Sequence, residues 1–152
     1  MSLPAYNGPS AWAQALGYGG LLPFIGLSLG TWLLAPGHQA LAAQALLAYS
    51  ASILSFLGAI HWGLTMRNPS GPSAGRLVWG VVPSLVAWLA LLLPVSTGLL
   101  LVAALLWACF VIDRAVYPRM GLRAWLPMRL LLTLVASACC IGSVLRWTGV
   151  AA

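Results

Sequence analysis

HQALAAQALLAYSASILSFLGAIHWGLTM, residues 38–66, decides the fold. It contains no Asp, Glu, Lys or Arg. At the helical rise it is long enough to cross a hydrocarbon core of about 30 Å, which takes about 20 residues. It therefore reads as a membrane-spanning helix. Two rows of residues within it carry the next inference. Ala51, Ser55, Ala59 and Gly63 recur at every fourth position. Small side chains let backbones approach, so this row is expected to pack against another helix. Ser50, Gly58, His61 and Thr65 share a narrow sector of a different face. A polar face inside a membrane needs a partner, and the rest of the chain can be searched for one.

The composition agrees with this reading. Of 152 residues, 62% are hydrophobic and 5% charged, where a soluble domain carries about 25% charged residues. The chain is expected to be an all-α integral membrane protein forming a single transmembrane domain. Its formal charge of +6 comes from arginines without lysine, set against one acid, Asp113. In a soluble chain that balance suggests nucleic acid. Here it is the excess of positive charge that short cytoplasmic loops carry, and no nucleic-acid partner is expected. Cys109, Cys139 and Cys140 all lie in apolar runs, so they read as small buried hydrophobes rather than a disulfide framework. Residues 1–10 lack a basic segment, and no cleavable leader is expected.

Working outward, apolar runs separated by turn-forming residues give five spans, at about 11–34, 38–66, 77–93, 97–112 and 126–145. Ser10 is the candidate cap of the first, which Pro23 should kink and whose Gly26-x-x-x-Gly30 suits close helix packing. Pro36-Gly37 reads as a turn, and Pro94 and Ser96 mark another. The links between the second and third spans and between the fourth and fifth hold Arg67, Arg76, Arg114, Arg119 and Arg123, whereas 35–38 and 94–96 hold no arginine. Topology then predicts a five-helix bundle in the inner membrane with the N-terminus cytoplasmic and the C-terminus periplasmic. Trp125 and Trp147 bracket the fifth span as interfacial aromatics do.

That topology also fixes depth. His61 lies five residues before Met66, roughly 7–9 Å inside the span. Asp113 ends the fourth span, and Arg129 sits in the first turns of the fifth. Trp79, beside Pro83, occupies the same leaflet. Ionisable groups within spans face the bundle interior and pair with one another, so Asp113 is expected to accept from Arg129 with His61 joining directly or through water. Arg129, Thr133, Ser137 and Cys140 form a polar stripe at helical spacing. The stripe is expected to face His61 across a polar seam open to the cytoplasm. Trp62, Trp79 and Trp88 are candidate lining for a ligand pocket there. The plain alternative is a staple between helices, with His61 bonded to a carbonyl and Arg129 reaching the headgroups.

The chain carries no P-loop, GxGxxG, HExxH, metal-ligand cluster or serine elbow. One acid excludes carboxylate-pair catalysis within a protomer. With His38 and His61 at opposite ends of one span, no cofactor is expected. A haem on His61 alone, or shared across a symmetric dimer, is the less favoured alternative.

The blocks GYGGLLPFIGLS, YSASILSFLGAIHWG, VVPSLVAW and DRAVYPRMGLRAWLPMRLLLT resemble the transmembrane protein 69 family, small multi-span proteins of bacteria and mitochondria. The resemblance covers residues 17–143. Its most specific parts are FLGAIHWG at 56–63 and Arg129 with Leu130 to Thr133. It implies an inner-membrane location and brings no activity with it. Five spans rich in tryptophan are also similar to the tryptophan-rich sensory proteins, which bind tetrapyrroles and sterols. Their first loop carries a Trp-Pro-Pro-rich stretch, where this chain has only Ala35 to His38. That likeness is one of architecture. Two functional readings follow. One is a non-enzymatic accessory or assembly subunit in a larger membrane complex or homo-oligomer. The other is a binder, carrier or enzyme for a quinone, lipid or tetrapyrrole, with a cavity around His61, Asp113 and Arg129.

Overall fold

The computed structural model describes residues 8–67 and 74–149, with side chains as far as residue 146. The described residues form six α-helices. These are α1 (Ala11–Gly19), α2 (Leu21–Leu33), α3 (Pro36–Arg67), α4 (Ala74–Leu91), α5 (Val95–Val116) and α6 (Leu126–Gly149). Two short 3-10 turns, Tyr117–Met120 and Arg123–Trp125, link α5 to α6. Taken together, α1 and α2 make one span, so five helical segments are long and apolar enough to cross a membrane. The protein is a multi-pass membrane protein.

The first span breaks earlier than Pro23 itself. Ser10 caps α1 by accepting from the Ala13 amide at 3.2 Å. The helix then stops at Gly20, because the ring of Pro23 crowds the carbonyl four residues before it and supplies no donor there. That carbonyl belongs to Gly19; the next one, of Gly20, accepts from the Tyr49 hydroxyl at 2.9 Å, which fastens the break to α3. The expected turn at Pro36-Gly37 is also displaced. Pro36 is the first residue of α3, where its missing N–H costs nothing and its fixed φ suits the helix. The reversal falls on Leu34 and Ala35. The α5 helix outlasts the expected end at residue 112 by a full turn, which draws Asp113 inside the bundle. At Gly121 the chain adopts φ 74°, a left-handed conformation in which only glycine is free of strain.

The third helix is central: it packs against α2, α4, α5 and α6. The remaining spans form an arc against it, with α2 on α6, α6 on α5 and α5 on α4, and one face of α3 is left exposed between α2 and α4. Burial follows this order. In an 18-residue apolar stretch of each span, 44% of residues are buried for α3, α5 and α6, against 17% for α1–α2 and 22% for α4. The core contains Phe24, Leu46, Leu54, Leu99, Val102 and Leu106. Close approach of α3 to α4 rests on two glycines. A methyl group on Gly58 would strike the Gly80 carbonyl, and one on Gly80 would strike the Trp62 indole.

Within the chain the small-residue row is used only at one end. Ala51 is buried, but Ser55, Ala59 and Gly63 face outward, and a methyl on Gly63 would meet nothing within 4 Å. The contact glycine of α3 is Gly58, which lies on the other row. Outward-facing Ser55 satisfies itself by donating to the Ala51 carbonyl at 3.0 Å, so lipid leaves no polar atom wanting. In the first span a methyl on Gly30 would lie 3.2 Å from Ala42 Cβ, while one on Gly26 would meet nothing within 4 Å. Only half of that motif packs.

Candidate functional site: a closed ionic cluster beside a lateral cavity

Three helices each contribute one residue to the cluster. His61 comes from α3, Asp113 from the last turn of α5 and Arg129 from the first turn of α6. Asp113 Oδ2 accepts from Arg129 Nε at 2.9 Å and Nη2 at 2.7 Å. Its other oxygen lies 3.0 Å from His61 Nε2. With a carboxylate as acceptor, Nε2 carries the proton. His61, Asp113 and Arg129 are 1%, 2% and 7% exposed. The sequence brought these residues to one depth, and the structure brings them into contact.

The cluster is closed, and in this the seam expected to open toward water is corrected. Asp113 was placed at a helix edge, but α5 continues past it and Tyr117, 3% exposed, sits beside Arg129. Removing one member of such a buried pair costs about 3–5 kcal/mol, because the other charge is left unmatched. Three spans are thereby tied at one point.

The stripe on α6 does face inward: Thr133, Ser137 and Cys140 are all buried. Its members are mostly satisfied locally. Ser137 donates to the Thr133 carbonyl at 2.7 Å, and Ser50 donates to the Leu46 carbonyl at 2.7 Å with Cys140 Sγ 3.6 Å away. Among the described residues, Thr133 Oγ1 and His61 Nδ1 are buried side-chain atoms with no hydrogen-bond partner.

The tryptophans do not form the expected pocket. Trp62 lies over Gly80 and donates to the Leu77 carbonyl at 3.0 Å. Trp79 packs against the apolar core. Trp88 faces outward. Trp125 is half-buried, and the side chain of Trp147 lies outside the described residues.

Two features escaped the reading of the sequence. The first is a knot of hydroxyls between α2 and α6. Ser28 and Ser143 both donate to the Cys139 carbonyl, at 3.1 and 2.9 Å. Thr31 donates to the Ser28 carbonyl at 2.6 Å and lies 3.3 Å from Ser143 Oγ. The i, i+3 spacing of Ser28 and Thr31 was the available signal. The second is a cavity of about 140 Å³ between α1–α2, α3 and α6, floored by Leu106 of α5. Its walls include Gly17, Phe24, Ile53, Leu57, Leu106 and Ala136, with Arg129 and Thr133 as its polar members. His61 and Asp113 do not line it, so the cavity expected around all three charged groups reaches only the arginine. No cluster of three or more potential metal ligands occurs among the described residues.

Comparison with known proteins adds the family. Transmembrane protein 69 of Xenopus tropicalis is 35% identical over 139 residues, which cover 88% of this chain and 54% of the relative. The chain thus spans about half the length of the curated relative it matches. No solved structure matches. A family model described as a protein of unknown function (DUF3429) matches residues 9–145, a range that contains all five spans except the last residues of α6. The chain belongs to that family, whose relatives include transmembrane protein 69.

Proposed function

We propose that the protein is a non-enzymatic membrane subunit that acts by packing with other membrane proteins. The closure of the ionic cluster carries this reading. Each charged group deep in the bundle is engaged by another, at 2.7–3.0 Å and 7% exposure or less. An acid–base catalyst needs its group within reach of substrate, whereas a buried, mutually bonded cluster holds helices in register. The less buried spans, α1–α2 and α4, leave apolar side chains such as Leu22, Leu29, Leu85 and Trp88 on the outer surface. Native mass spectrometry of the protein released gently from its own membrane tests this. A stoichiometric complex with another membrane protein is expected, and a chain that emerges alone or only with lipid overturns it.

The orientation belongs to the same proposal. Arg67, Arg76, Arg114, Arg119 and Arg123 flank the links at one end of the bundle, and Arg146 lies near the other. We assign the arginine-rich end to the cytoplasm of an inner membrane. A reporter fused after Ala152 should be active outside the cytoplasm, and cytoplasmic activity would reverse the assignment.

A further inference from the structure

We propose that the cavity between α1–α2, α3 and α6 binds a neutral, ring-sized carbonyl compound with an apolar tail, of the prenylated quinone class. The compound would enter from the lipid phase, and its carbonyl would be received by Arg129 and Thr133.

Thr133 is the first observation. It lines the cavity, is 1% exposed and has an unpartnered hydroxyl. Its neighbours behave otherwise. Ser50, Thr65, Ser137 and Ser143 each donate to a carbonyl four residues back on their own helix. A buried hydroxyl without a partner is unfavourable, and here it stands in the wall of a space large enough to supply one.

Arg129 is the second. A guanidinium carries five N–H donors in a rigid fork. The bonds to Asp113 engage Nε and Nη2, Tyr117 takes a further side-chain hydrogen bond, and Arg129, with donors still to spare, lines the cavity one helical turn before Thr133. Two donors one turn apart on α6 suit a single acceptor oxygen between them. The charge of Arg129 is already matched by Asp113 at 2.7 Å. An incoming anion would therefore face the carboxylate without a free cation to offset it, and a neutral carbonyl is favoured.

Shape and access complete the argument. The remaining walls are apolar. The rim includes Leu16 and Phe56, which are 74% and 62% exposed on the membrane-spanning surface, so the cavity is reached from the acyl chains. Its volume of about 140 Å³ is close to the roughly 150 Å³ of a cavity that accepts a benzene ring. It admits one ring with the tail lying out past Leu16 and Phe56, and it is too small for a tetrapyrrole. Gly17 forms part of this wall, with the end of the Met128 side chain lying against it.

The test uses the full chain in phosphatidylcholine nanodiscs. A benzoquinone bearing one isoprenoid unit is the probe, with hexylbenzene and a twelve-carbon fatty acid as controls. Native mass spectrometry should give a one-to-one quinone adduct, and the quinone should raise Tm. Neither control should do so. Thr133→Val removes the unpartnered hydroxyl and keeps the shape, so it should melt no lower than the parent yet bind the quinone at least tenfold more weakly. Absence of the adduct would overturn the proposal. So would equal binding of hexylbenzene, tighter binding of the fatty acid, a retained phospholipid in its place, or an unchanged Kd in Thr133→Val.

Discussion

At the scale of single residues, glycines separate contact from mere composition. Two rows of small side chains run along α3, and the sequence offered no means of choosing between them, since a small residue serves equally at a helix contact or beneath a lipid chain. What decides is the residue opposite. Gly58 faces Gly80, and the two backbones meet. Gly63 faces nothing. Gly80→Ala should therefore destabilise the protein by about 1–3 kcal/mol through overpacking against Trp62. Gly63→Ala should be neutral or stabilising by up to about 1 kcal/mol, as replacing glycine within a helix ordinarily is. Unfolding of both variants in mixed micelles, followed by circular dichroism, checks the contrast. Equal losses at the two positions would show that Gly63 makes a helix contact as tight as that of Gly80.

At the scale of elements, the number, type and order of the spans were legible from runs of apolar residues interrupted by Pro, Gly and Arg. Their ends were less so. Proline was the main source of error, because its effect depends on its place in the helix. Pro36 starts a helix where a turn was expected. Pro23 acts on the Gly19 carbonyl four residues earlier, so the break lies at Gly19 and Gly20, and Tyr49 pins it by donating to the Gly20 carbonyl. Pro83 is carried inside α4 without ending it. The Asp113-Arg114 pair read as a membrane edge because charge usually marks one. It was overridden by the continuing helix through Val116, and this single turn converts an interfacial carboxylate into a buried one. The depth shared by His61, Asp113 and Arg129 was legible by counting from the polar links. The closing of the cluster was not, since it depends on the length of α5 and on Tyr117. Nor was the cavity, whose lining is gathered from four spans and includes Gly17 and Gly20 at the break between α1 and α2.

At the scale of the whole molecule, one helix, α3, contacts all four other spans, and one carboxylate holds three of the five together. The apolar core alone does not fix how α3, α5 and α6 rotate about their axes, because lipid competes with protein for every apolar face. Asp113 does fix it, since only one rotation of each helix brings Arg129 and His61 within 3.0 Å of it. The measurement that bears most directly on this is a double-mutant cycle of Asp113→Asn and Arg129→Met, read from reversible unfolding in mixed micelles. Each single substitution is predicted to cost about 3–5 kcal/mol. The double variant should lose less than the sum by about 2–3 kcal/mol, the coupling of residues in direct contact. Losses that add to within about 0.5 kcal/mol, as for distant sites, would show that the pair does not hold the bundle together.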